Sequence, residues 1–179
     1  MKKKGDWIQT FTGKEFWFLE PDPESIDIID IAHSLSMQCR NNGHAHFFYS
    51  VAEHSIWVSM LVEPEHQLAA LLHDASEAYL ADIPSPIKPF LSNYKEIENN
   101  LQAEINKKFG CALTMHESIH KADKEILVNE MEFLLSEPPR PWNDDGKYNA
   151  AKDITLVCME PNEAKLQFLR RYDELTKGI

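Results

Sequence analysis

Apolar positions along the chain change period several times, and each change marks an element. Trp7-Ile8-Gln9-Thr10 and Glu15 to Leu19 alternate about Thr12-Gly13, the pattern of a short β-hairpin, and Pro21-Asp22-Pro23 ends it. From Asp27 the period becomes helical. Ile28, Ile31 and Leu35, with Ile29, Ala32 and Ser36 beside them, carry it to about Cys39. Asn41-Asn42-Gly43 breaks the pattern, and His44 to Tyr49 reads as a histidine- and aromatic-rich loop or short extended piece. Ser50 with Glu53 three residues on forms a capping box, which predicts a second helix to about Leu61. Pro64 opens a third, predicted to run to about Leu80 and to hold His73-Asp74 in its middle. Asp82-Ile83-Pro84-Ser85-Pro86 follows as a rigid loop. Further helices are predicted over 92–109, closed by Gly110, over 114–135 and over 162–177, with a surface loop from Glu137 to Gly146. The expected fold is all-α: a bundle of about six helices with a short N-terminal β-hairpin. One domain over 1–179 is expected, with the hairpin in 1–20, a helical core in 26–135 and a C-terminal helix in 160–179.

Composition narrows the class without changing this picture. At 179 residues, 43% hydrophobic and 26% charged, the chain has the make-up of one globular domain able to bury a core without disulfides. No apolar run is long enough to span a bilayer, and Met1-Lys2-Lys3-Lys4 has no apolar stretch behind it, so neither an anchor nor a signal peptide is expected. Cys39, Cys111 and Cys158 are odd in number and widely spaced, which suits thiols in a reducing cytoplasm. Net charge is −11, with no basic stripe of the kind that binds polymeric nucleic acid. An anionic ligand would have to be drawn by a local cluster of metal and a few basic side chains.

Histidine and carboxylate are where the chemistry gathers. Seven of the eight histidines lie between His33 and His116. His73-Asp74 follows the apolar run Leu68 to Leu72, so both are expected to be partly buried, and buried charge needs a partner or a metal. His54 at the start of the second helix and Asp123 in the helix predicted over 114–135 can converge with them, as inward-facing residues of helical bundles do. Imidazole nitrogen with carboxylate oxygen suits manganese, cobalt, zinc or iron.

His54, then His73-Asp74, then Asp123 resembles the H…HD…D signature of the HD-domain metal-dependent phosphohydrolases. His73-Asp74-Ala75-Ser76-Glu77 with Asp82-Ile83-Pro84-Ser85-Pro86-Ile87-Lys88 is similar to the corresponding segment of the bacterial 5'-deoxynucleotidase branch. The similarity extends roughly from Arg40 to Leu127. It implies an HD-domain bundle with a divalent ion (Mn, Co, Mg, Zn or Fe) on His54, His73, Asp74 and Asp123. It implies Glu77 and Asp82 as groups that activate water or protonate the leaving group, and Arg40, Lys88 and Lys121 as phosphate contacts. Each has a plainer alternative: a helix-surface Glu77, a turn-forming Asp82, Arg40 as a helix C-terminal cation, and solvated lysines. His44, with His46, can line a pocket or simply pack. The implied activity is hydrolysis of a small nucleotide, foremost a deoxynucleoside 5'-monophosphate. A triphosphohydrolase and a catalytically silent nucleotide sensor are alternatives; a di-iron oxygenase would need extra ligands such as His44, His46 or His120. A homodimer or higher homo-oligomer is expected, with no membrane partner.

Overall fold

The computed structural model describes residues 4–142 and 146–178. The first three residues of the hairpin segment, residues 143–145 of the surface loop and Ile179 lie outside the described residues. The described chain is mostly helical, with one two-stranded antiparallel sheet. Strands β1 (Trp7–Gln9) and β2 (Glu15–Trp17) pair in the register Ile8 to Phe16, and Phe16 alone turns fully inward. The turn between them is fastened to the first helix, because the Thr12 N–H and hydroxyl both donate to Asp30, at 2.7 and 2.8 Å.

Helix α2 (Val51–Met60) starts where its cap predicts, Ser50 accepting from the Glu53 N–H, and helix α1 (Ile28–Met37) is capped by Asp27, which accepts from the Ile29 N–H. α2 is the centre of the molecule. Eight of its residues are buried, polar ones included, as a helix packed on all sides requires. Its buried Glu53 is satisfied by the backbone N–H groups of Val157, Cys158 and Met159, at 2.7 to 3.1 Å, which ties the stretch before the last helix to the core.

The predicted third helix is the clearest departure. It begins as a 3₁₀ turn (Pro64–His66), becomes α3 (Gln67–Leu71), breaks over 72–76, and resumes as the single turn α4 (Glu77–Leu80). Two side chains replace the missing ladder bonds. An unbroken helix would pair the Leu72 carbonyl with the Ser76 N–H. Instead, the Gln102 amide inserts between them, donating to Leu72 O at 2.8 Å and accepting from Ser76 N at 3.0 Å. The Ala70 carbonyl is taken by the ring Nδ1 of His73 at 2.7 Å. His73 and Asp74 therefore stand on a break, not in mid-helix.

Gln102 belongs to α5 (Tyr94–Phe109), which Gly110 closes in the left-handed conformation. α6 (Glu117–Leu134) starts three residues later than predicted, since His116 is the residue whose side chain caps it. α7 (Pro161–Lys177) begins with proline in the first turn. α1, α2, α3 and α7 pack on one another around the main core, and α6 lies on α2 over a smaller apolar cluster of Val58, Ala70, Ile119, Ala122 and Ile126. Among the described residues, no helix is long and apolar enough to cross a membrane.

Candidate metal centre

Three elements converge beside α2. His54 and His73 are buried and Asp123 partly so, and each offers a ligand atom within 4.8 Å of the others. The group can hold a metal ion. Asp74 lies beside this group, its Oδ2 3.1 Å from His73 Nε2 and 3.8 Å from His54 Nε2. His54 Nε2 is 3.2 Å from Asp123 Oδ1 without a directed hydrogen bond.

The tautomers follow from the partners on the far side of each ring. His54 Nδ1 faces Glu130 Oε1 at 2.7 Å, and His73 Nδ1 faces the Ala70 carbonyl. A carbonyl and an ionised carboxylate only accept, so both Nδ1 atoms carry hydrogen, and the neutral form of each ring directs its Nε2 lone pair into the group. Both Nε2 atoms are buried without a hydrogen-bond partner. Polar atoms buried that way are costly unless something binds them, and an imidazole backed by a carboxylate or carbonyl is the usual arrangement of a metal-ligating histidine.

Electrostatics point the same way. Burial alone would raise Asp74, but His73, His54 and Arg40 hold it well below the usual carboxylate range. Burial opposes ionisation of Asp123 too, yet His54 lowers it to about 2. Burial and Arg40 disfavour a charged His54, but Glu130 and Asp123 outweigh them and raise it to about 9. The carboxylates thus demand a positive charge at their centre, which a proton or a metal ion can supply.

Glu130 is a member of this cluster that sequence reasoning misses. It is fully buried on α6, and it accepts from His54 and from Arg40 Nε at 3.0 Å. Burial would raise its pKa, but Arg40 and His54 bring it below the ordinary value. One signal for it exists in the sequence: Glu130 follows Asp123 by seven residues, two helical turns, within the buried stripe Ile119, Ala122, Ile126 and Leu134.

Glu77 is buried, with Oε2 unpartnered and Oε1 3.4 Å from Lys88 Nζ. Burial first, then Asp74 and Asp82, push its pKa up to about 10. Asp82 is partly buried and also raised, by burial foremost, with Asp74 adding to it. Glu77 is therefore not a helix-surface glutamate. Arg40 is no simple helix-end cation either: it lies beyond the end of α1, largely buried, with Nη1 3.9 Å from Asp74. Lys88 is half-buried between Glu77 and Glu98, 2.8 Å from the latter.

Two expected substrate-binding residues are not brought to this cluster. Lys121 is 67% exposed and pairs with Glu125 along α6, because two residues from Asp123 on a helix is nearly the opposite face. His44 is exposed at the end of a 3₁₀ turn, Asn41–Gly43, its backbone N–H bonded to Asn41. His46 and His120 are exposed as well, outside the donor group.

The chain matches no family model. It is 36% identical over 171 residues to the uncharacterized protein YfdR of Escherichia coli strain K12, covering 96% of both chains. It is also 36% identical over 131 residues to an uncharacterized protein of Rhodobacter capsulatus, covering 68% of this chain and 67% of that one. At that identity over nearly its whole length, the chain belongs to the family of Escherichia coli YfdR.

Proposed function

We propose that this protein is a divalent-metal-dependent phosphohydrolase of the HD-domain type, acting on a small nucleotide, foremost a deoxynucleoside 5'-monophosphate. The observation that carries the reading is the pair of buried, unpartnered Nε2 atoms of His54 and His73, both turned toward Asp123 and Asp74. His54, His73, Asp74 and Asp123 would hold the ion. Bound there, it would supply Lewis acidity to a phosphoryl oxygen and make water acidic enough to attack.

The chain's own groups supply the rest. Arg40 Nη1, too far from Asp74 for a hydrogen bond, is placed to meet a phosphate oxygen, while Nε holds Glu130. Glu77 and Asp82 are the proton-handling pair. One takes the proton of the attacking water as the new P–O bond forms; the other protonates the ester oxygen as the old bond breaks. Lys88 steadies Glu77 through its contact at 3.4 Å. A sensor has no use for a buried carboxyl with an unsatisfied oxygen, which favours catalysis over silent binding. A triphosphate would ask for more free cations than the site offers: Lys121 is spent on Glu125, and Lys88 on two carboxylates.

The test joins metal analysis to a screen of nucleoside mono-, di- and triphosphates, with the phosphate product identified. Asp74→Asn is the control. Release of orthophosphate from monophosphates, lost in the variant together with the metal, supports the reading; metal and activity both surviving Asp74→Asn would end it.

A further inference from the structure

Glu77 and Asp82 are separated by a sharp reversal of the chain, and that reversal is strained. Ala81, between them, has φ +70° and ψ 155°, a region that only glycine enters freely. Such a conformation persists only where its surroundings impose it. The side chain that bonds the backbone across it is Gln38, at the end of α1. Its Nε2 donates to the Glu77 carbonyl at 3.0 Å, and its Oε1 accepts from the Asp82 N–H at 2.9 Å. One amide thus bonds the backbone on each side of the strained residue.

The rest of Gln38 is equally committed. Nε2 also donates to Ser34 Oγ at 3.2 Å, and that hydroxyl donates to the Ala78 carbonyl at 2.6 Å. The Gln38 carbonyl accepts from the Val51 N–H at 3.2 Å, at the start of the helix that carries His54. One residue therefore joins the end of α1, the beginning of α2 and both ends of the acidic segment. Glutamine is the side chain that can do this, since it offers donor and acceptor side by side at the end of a flexible stem.

We infer that Gln38 is a positioning residue: its amide staples the reversal at Ala81 and thereby fixes the Glu77 and Asp82 carboxyls relative to the metal-ligand group. The inference rests on the proposed hydrolase reading for its catalytic consequence, but the staple itself is tested without activity.

The experiment uses full-length, metal-loaded protein and three variants, Gln38→Leu, Ala81→Gly and the two combined. Leucine keeps most of the volume and removes both backbone bonds. Amide exchange at Asp82 is the first readout: protection falls at least tenfold in Gln38→Leu, while bound metal stays at the wild-type level. Kinetics against a nucleoside monophosphate are the second. Here kcat drops about tenfold or more with KM changed less than threefold, and the pH profile shifts. In the double variant, the Ala81→Gly change lets the backbone hold the reversal without the staple. There kcat, normalised to folded, metal-loaded protein, recovers several-fold over Gln38→Leu, a gain that restored general stability alone would not show. Unchanged Asp82 protection overturns the inference, with or without an active wild type. So does a wild-type kcat in Gln38→Leu, or a loss of kcat that only tracks lost metal. An inactive wild type with the staple intact overturns the hydrolase reading alone, and Asp82 protection still decides the role of Gln38.

Discussion

The two sides of the candidate metal centre are built by opposite means. His54, Asp123 and Glu130 stand on α2 and α6, two regular helices, and owe their placement to helical spacing and burial. His73, Asp74, Glu77 and Asp82 stand on a stretch where the helix is broken at 72–76 and the chain reversed at Ala81. There, side chains do the work of the backbone: Gln102 fills one gap in the ladder and Gln38 bridges the reversal. A helix fixes neighbours at set angles, so four acidic and basic groups within ten residues could not all face one point from unbroken helix. Breaking the helix is what lets them converge. On the proposed reading, both sides would hold the ion, His54 and Asp123 from the regular one and His73 and Asp74 from the irregular one, while the groups that would move protons, Glu77 and Asp82, all stand on the irregular side.

Built so differently, the two sides should fail differently. His54→Ala strikes the regular side hardest. It removes a ligand, opens a cavity in the best-packed helix, and leaves Glu130 buried with Arg40 as its remaining charged partner. Loss of nearly all bound metal is expected, with a fall in stability of about 3 kcal/mol. Metal analysis and denaturant unfolding measure the two effects. Retained metal would mean that Asp123 and the 73–74 turn suffice, and the place of His54 among the ligands would be wrong.

Glu77→Gln strikes the irregular side and should leave the regular one intact. Gln is a neutral isostere of a carboxyl whose pKa is raised to about 10, so at pH 7 the fold loses no charge that it holds. Metal content and melting temperature should match or exceed the wild type, while hydrolysis slows on the order of 10²- to 10⁴-fold, the scale of a lost acid–base group. A variant that loses metal along with rate would make Glu77 a ligand.

Glu130→Gln gives a smaller effect and sharpens the role of the regular side. The amide still reaches His54 and Arg40 but brings no charge, so the imidazole is a weaker ligand. Metal affinity should fall roughly 10- to 100-fold, the range for a residue that backs a metal-bound histidine. Titration of the apo-protein with Mn²⁺ or Zn²⁺ reads it directly. Unchanged affinity would reduce Glu130 to a structural partner of Arg40.

Much of this division can be seen in the sequence, and what cannot has a physical cause. The hairpin, the caps at Asp27 and Ser50, and the ends of α5 and α7 follow local rules, and local rules are written in neighbouring residues. The donors His54, His73, Asp74 and Asp123 stand out by type, order and the apolar run before His73. The break at 72–76 is invisible there because its cause is Gln102, 26 residues beyond Ser76. Glu130 looks like any charged residue of a long helix until the stripe beneath it is known to be buried. Lys121, carried over from the resemblance, lies away from the cluster for a related reason: on a helix, two residues from Asp123 turn the side chain away. Contacts distant along the chain are what pattern alone leaves unread.

The smallest prediction tests strain on the irregular side. Ala81 is exposed, and its side chain contributes little beyond the steric cost of a positive φ. That cost is on the order of 1–3 kcal/mol for a non-glycine residue. Glycine at this position removes it, but gives the unfolded chain extra freedom that counts against folding by roughly 0.4–1 kcal/mol. The two terms have opposite signs, and the strain is the larger. Ala81→Gly should therefore stabilise the protein by about 1 kcal/mol, a rise in melting temperature of roughly 2–4 °C for a chain of this size. A fall instead would mean that Ala81 reaches negative φ in solution at little cost, and that Gln38 is holding no strained turn. Since the unfolded-state term acts at any Ala→Gly change, a control at exposed Ala112 should fall. A rise at 81 with a fall at 112 isolates the strain.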